Sequence, residues 1–198
     1  MLPMTRCVRG VMMNMIMEIR QITTRSGRRM KIRPILPQDA ANLVDIFAHM
    51  SSESRYRRFL QSVDHVGPTR VWQEAERIAN TPPEVGRGVI AFDMTAAEEV
   101  PVGVARYVVV EPGVAELAVS VRDDYQSDGI GTALLQMLTE TAVSAGILKL
   151  IGTIQNENEA IWRVLNHLPY AIRRYPQGTI SEIVVMLDQP RNVATKTE

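Results

Sequence analysis

One segment restricts the fold more than any other. Ala115-Glu116-Leu117-Ala118-Val119-Ser120-Val121 has the character of a strand, and Gln126-Ser127-Asp128-Gly129-Ile130-Gly131-Thr132 follows it. An amphipathic stretch then reaches about Ala145, and a second apolar run covers residues 148–154. A helix of that length between two strands makes a crossover, so the strands run parallel in one sheet. Two glycines one residue apart at the helix start let the backbone turn tightly and approach a ligand, while the first-turn N–H groups have no partner within the helix. Those donors and the helix dipole suit an anion such as a pyrophosphate. A glycine pair is also what a plain strand-to-helix turn can need.

Two nucleotide sites are excluded by what the loop lacks. No Gly-x-x-x-x-Gly-Lys-[Ser/Thr] run exists, and the dinucleotide fingerprint requires a third glycine where Leu134 stands. Some other phosphate compound is expected.

The remaining chain supplies antiparallel strands and further helices. Strands at 18–24 and 30–35 flank a turn at Gly27; Pro34 ends the second strand or places it on an edge. Asp39 caps or opens a helix with Leu43, Ile46, Phe47 and Met50 at helical spacing. A short helix follows from Arg55, and a third spans 69–79. Strands at 88–94, 102–110 and 114–121 come next, the last two joined by Glu111-Pro112-Gly113; residues 171–175 and 179–187 close the sheet as a hairpin. The fold class is α/β, or α+β in some schemes: a mixed, largely antiparallel sheet with a central parallel pair and helices on both faces. One domain over 18–188 is expected, with a disordered extension or misplaced start at 1–17 and a disordered tail at 189–198.

Charge and cysteine usage narrow the partners. Acidic and basic side chains balance at 22 each, so there is no global field to hold nucleic acid or coat an anionic membrane. Local arginine clusters, Arg25-Arg28-Arg29-Arg33 and Arg55-Arg57-Arg58, are either solvated surface or partners for phosphate or an acidic protein. Cys7 alone cannot form an internal disulfide, which fits a reducing cytoplasmic setting, and His49, His65 and His167 are too dispersed for a metal site. No window approaches the ~18 apolar residues of a membrane span.

Gln126-x-x-Gly129-x-Gly131 after an apolar strand, then a long helix, a strand and an Asn-led helix, resembles the coenzyme A site of the GNAT superfamily of N-acetyltransferases. The likeness covers about Lys31 to Leu187. It implies acetyl-CoA as cosubstrate, strands that splay at the cofactor site, and a pyrophosphate held by Gln126, Asp128, Gly129, Ile130, Gly131 and Thr132. Pantetheine would pair with Leu117, Val119 and Val121, and Asn158 would touch the cofactor arm or serve only as a helix cap. Asp128 stands where the family commonly has a basic or small residue, and its carboxylate is expected to point to water. Leu165 replaces the family's acid tyrosine, with Tyr125, Tyr170 and His167 as substitutes to weigh.

Ala115-Glu116-Leu117-Ala118 and Ser52-Glu53-Ser54-Arg55-Tyr56-Arg57-Arg58-Phe59 resemble the bacterial protein lysine acetyltransferases of that superfamily. By this likeness Glu116 is the general base, or else a solvated strand carboxylate, and the acceptor is a primary amine, foremost a protein lysine. Tyr56 and Phe59 are expected in the core. A small-molecule amine and a noncatalytic acyl-CoA sensor are the alternatives, and a homodimer is compatible with all three.

Overall fold

The computed structural model describes residues 19–191. The extension at 1–17, Cys7 included, and the tail beyond Arg191 lie outside those residues. The structured chain continues past 188, because the final strand runs to Pro190 and Arg191 donates its Nη1 to the Asn166 carbonyl at 2.6 Å.

Strand β1 (Arg20–Thr23) and β2 (Arg29–Pro34) form a hairpin whose turn holds Gly27 at φ 88°. Helices α1 (Ala40–Ala48), α2 (Ser52–Phe59) and α3 (Pro68–Ala79) follow, then β3 (Gly86–Asp93), β4 (Val100–Glu111) and β5 (Val114–Val121). The crossover helix α4 (Ile130–Ser144) leads to β6 (Lys149–Gln155), and α5 (Glu159–Asn166) to β7 (Tyr170–Gln177) and β8 (Ile180–Pro190). One eight-stranded sheet results, in the order β1-β2-β3-β4-β5-β6-β8-β7. Only β5 and β6 pair in parallel. β2 lies inside the sheet between β1 and β3, so Pro34 marks its end and not an edge.

Strand alternation divides the core. Val89 and Ala91 of β3 join Ala105 and Tyr107 of β4 beneath α4, which buries Ile130, Leu134, Leu135 and Leu138. Ile90 and Phe92 point the other way, onto Leu43 and Ile46 of α1 and Ala75 and Ala79 of α3. β3 is therefore apolar on both faces. Each fully buried leucine or isoleucine contributes about 1.5–3 kcal/mol relative to exposure, and the α4 stripe seats this helix, with its loop, on the middle of the sheet.

Asp39 does not cap α1 with its side chain. It is fully buried and accepts from Arg33 at 2.6 and 2.8 Å, from the Leu36 N–H at 2.7 Å and from Asn42 at 2.8 Å. The reason is the chain turn at Leu36: the orphan amide and the Arg33 fork converge there, and a carboxylate satisfies both. Burial alone raises the Asp39 pKa, but the Arg33, Leu36 and Asn42 bonds outweigh it and hold the carboxyl below the usual range. Asp39→Ala leaves a part-buried guanidinium unpaired and is expected to cost about 3–5 kcal/mol in urea unfolding. Because the folded value lies below the unfolded one near 3.9, this contribution is present above about pH 4 and is lost as pH falls through the lowered value.

Candidate functional site

The central parallel pair opens almost as soon as it forms. Val114, Ala115 and Glu116 pair with Lys149, Leu150 and Ile151, and no later residue of β5 has a partner on β6. Each strand stays with its other neighbour: β5 with β4 out to Val121, β6 with β8 out to Gln155. Arg122 N–H donates to the Val102 carbonyl, so by alternation the N–H and C=O groups of Leu117, Val119 and Val121 face the open seam. Gly152 stands at the fork, where an added Cβ would lie 3.7 Å from the Leu117 carbonyl. A cavity of about 440 Å³ fills the opening.

The glycine loop closes the far end of β5. Gly129 takes φ 93° as the N-cap of α4 and Ser127 takes φ 61°. Ser127 and Leu60, the C-cap of α2 at φ 54°, are the two non-glycine residues with positive φ among the described residues. Both line this cavity. Left-handed backbone costs such residues roughly 1–3 kcal/mol, and strain of this kind gathers at ligand-binding walls.

Asp128 turns away from the cavity. Its carboxylate accepts from Ser26 N–H at 2.8 Å and Ser26 Oγ at 2.5 Å, with Arg28 Nη1 at 3.9 Å, and the residue is 8% exposed. It does not point to water, as the sequence suggests; the β1–β2 turn captures it. The carboxylate stays ionised but points out of the loop, and the Ser26 bonds hold its pKa below the usual range against a smaller opposing effect of burial.

α2 is fastened over the opening by a second carboxylate. Asp123 accepts from Ser51 N–H at 2.9 Å, Ser54 Oγ at 2.6 Å and Gln126 Nε2 at 2.8 Å. Gln126 Nε2 also lies 3.2 Å from the Val121 carbonyl and 3.2 Å from Ser54 Oγ. The Gln126 amide is therefore committed to latching α2 to the end of β5. Burial would raise the Asp123 pKa, yet the Ser51 and Ser54 bonds bring it below the ordinary value. Tyr56 and Phe59 are 48% and 36% exposed, so the core expectation fails: Phe59 packs edge-on to Phe47 at 6.1 Å and borders the cavity. An eight-residue helix with four charged side chains has too little apolar surface to bury both rings.

The cavity is cationic in a chain of zero net charge. Arg25, Arg57, Arg58 and Arg163 line it, and Glu116 is its one carboxylate. Glu116 itself is exposed, on the face of β5 shared with Ala118 and Ser120.

A family model described as "Acetyltransferase (GNAT) domain" matches residues 29–169. The chain belongs to the GNAT acetyltransferase family. GNAT enzymes are acyltransferases that use acetyl-CoA. Acetyltransferase Pat of Mycolicibacterium smegmatis is 29% identical over 154 residues, covering 74% of this chain and 43% of that protein, so the chain spans under half of that relative's length. The GNAT domain of PAT from S. lividans superposes with a TM-score of 0.71 at 22% identity, covering 84% of this chain and 95% of that one. YncA of Salmonella typhimurium, a structure with acetyl-CoA, gives 0.60 at 18% identity over 82% and 96% of the two chains. These two structural likenesses share the fold.

Within the GNAT frame, the structure gathers most of the residues singled out from sequence. Glu116, Leu117, Val119, Val121, Gln126, Gly129, Gly131, Thr132 and Asn158 all border the one cavity. Asp128 and Ile130 do not; Ile130 is 1% exposed and belongs to the α4 core. Asn158 Oδ1 accepts from Ile161 N–H at 3.3 Å, so it caps α5 while lining the wall. Of the three acid substitutes, Tyr170 is outside the lining, and the Tyr125 hydroxyl is engaged by Asp93 at 3.1 Å. His167 remains: its Nδ1 lies 2.7 Å from the Arg163 carbonyl, which can only accept, so Nδ1 carries a proton. Sequence reading missed Asp123, Ser54 and Gly152. The first two are distant in sequence and meet only through folding; Gly152, a glycine inside a strand pattern, was a legible signal for close backbone approach.

No helix among the described residues is long and apolar enough to cross a membrane. Asp128→Ala is expected to speed hydrogen exchange at the Ser26 amide by at least about tenfold, the effect of losing one bond of ~1.4 kcal/mol. In the parent chain that protection persists to a pH below the usual carboxylate range, because the folded pKa is depressed.

Proposed function

We propose that this chain moves an acetyl group from acetyl-CoA to a primary amine, foremost a protein lysine, by direct attack within a ternary complex. One observation carries the reading: a seam with outward-facing backbone groups runs from a helix N-terminus at one end to a carboxylate at the other. The seam-facing Leu117 carbonyl, both backbone groups of Val119 and the Val121 N–H suit the amides of pantetheine, while the Val121 carbonyl is held by Gln126; the first-turn N–H groups of Gly131 and Thr132 suit the pyrophosphate, and Arg25 and Arg163 add positive charge to the same cavity.

Glu116 belongs at the fork, beside the last paired residues. There it takes the proton of the amine, directly or through a water; the nitrogen bonds to the thioester carbon, the C–S bond breaks, and coenzyme A leaves as thiolate. The Val119 N–H faces the seam and is the donor for the carbonyl oxygen as it gains charge. An ordinary thiol titrates near pKa 8.5, so the thiolate departs without a dedicated acid and takes its proton from water. A lysine acceptor is supported by the likeness of the α2 sequence to protein lysine acetyltransferases.

Leu165 is fully buried where the resembled enzymes carry a tyrosine, which favours a noncatalytic acyl-CoA-binding module as the second reading. Calorimetry with acetyl-CoA, together with thiol release over a panel of small amines and lysine proteins, decides between them. Binding without release selects the second reading, and no binding defeats both.

Two substitutions test the assigned parts. Glu116→Gln is expected to lower kcat by about 10²–10⁴, most at low pH where the amine holds its proton hardest, while the acetyl-CoA Kd stays within about twofold. Gly131→Ala adds a Cβ that meets only Val164 and Val121 at 3.5 and 3.8 Å, ordinary contacts. Alanine is the better helix former by about 0.8–1 kcal/mol, so the unfolding midpoint should not fall. The acetyl-CoA Kd should nevertheless rise at least about tenfold, since the new methyl stands where backbone must approach the pyrophosphate.

A further inference from the structure

Two guanidinium groups lie toward the Glu116 face of β5: Arg58, which lines the cleft, and Arg106, which stands behind it outside the lining. The β4–β5 register sets Arg106 opposite Ala118, between Val108 opposite Glu116 and Val104 opposite Ser120, so Arg106 shares the face that carries Glu116. Its Nη1 is buried with no hydrogen-bond partner among the described residues. Its Nη2 stands 3.7 Å from Glu74, a carboxylate already held by Arg77 at 2.5 and 2.8 Å. Arg58 reaches the same place from α2. It lines the cavity, lies over the Phe59 ring at 4.9 Å, and enters no ion pair within 4 Å among the described residues. Burial, then repulsion from Arg106, pushes its pKa down to about 10, with Glu116 and Glu74 pulling the other way from farther off.

Arg106 Nη1 is withdrawn from water without a partner and Arg58 is half-buried beside it; such charge is costly, and proteins relieve the cost by pairing. The phosphates of acetyl-CoA are badly placed to serve. Five residues separate Glu116 from Val121, so at about 3.3 Å per residue the loop lies roughly 16 Å away along β5. The vacant counter-charge belongs on the acceptor side.

We propose that the acceptor bears a carboxylate next to its reactive amine and that Arg58, backed by Arg106, recognises it. This rests on the acetyl-transfer reading above and names the substrate class for the same cleft. The carboxylate is an acidic side chain beside a protein lysine or the α-carboxylate of a small amine; the shared chemistry is what the two arginines select. The same positive charges disfavour the ammonium form of the acceptor amine.

Two matched pairs test it with the whole chain saturated with coenzyme A: a lysine peptide flanked by Glu against the same peptide flanked by Gln, and Nα-acetyl-lysine against its amide. Calorimetry is expected to show at least tenfold tighter binding of the carboxylate member of one pair, which identifies the source. That preference should shrink to within twofold in Arg58→Gln and return in part in Arg58→Lys. Arg58→Gln removes a disfavoured charge, so its melting temperature should not fall, and Arg106→Gln supplies an independent second position. Equal affinity within both pairs, binding of none of the four, or a preference that survives Arg58→Gln overturns the proposal. Thiol release from acetyl-CoA is read separately: its absence with the preference intact defeats acetyl transfer and leaves the carboxylate site standing.

Discussion

Everything at the site follows from the early parting of β5 and β6. A strand in the middle of a sheet ordinarily satisfies its backbone on both sides, yet β5 beyond Glu116 does so on one side only. Past Glu116 each strand keeps its pairing with its other, antiparallel neighbour while the two separate from one another. Leu117, Val119 and Val121 are left with polar groups in a part-buried seam, where water or a ligand must meet them.

What sequence made legible is what local periodicity encodes. The β5–loop–α4–β6 unit, the β4–β5 and β7–β8 hairpins and the turn at Gly27 were readable because each depends on neighbours within a few residues. The destination of Asp128 was not, since its partner Ser26 is 102 residues away and belongs to a turn that reveals nothing of what it will meet. Asp123 with Ser51 and Ser54 is the same case at a separation of about seventy residues. Tyr56 and Phe59 misled because aromatic residues are commonly buried, whereas α2 rests on the rim of a cavity and not on the core. Asn158 showed the limit of choosing between readings: one side chain caps a helix and lines the wall together.

Charge behaves similarly. A total of 22 acidic and 22 basic groups argues against any long-range field, and that holds for the surface as a whole. Folding then sorts the charges. Asp123 and Asp128 are drawn into hydrogen bonds with Ser51, Ser54 and Ser26, and neither lines the cavity, where arginines outnumber the one carboxylate, Glu116. Asp128 is the clearest instance, because its position in the loop would oppose an anion, and its carboxylate is turned to Ser26 and Arg28 instead.

The two halves of the cleft are built from different materials. The seam and the α4 N-terminus present backbone groups, which any sequence compatible with the sheet and a glycine turn will supply. The α2 wall presents side chains, held to the rest by Ser51, Ser54, Gln126 and one carboxylate, Asp123. On the reading proposed above, a change of residue on α2 would alter acceptor recognition while leaving the sheet untouched, so that topology sets the donor site and a few side chains on one short helix set the acceptor.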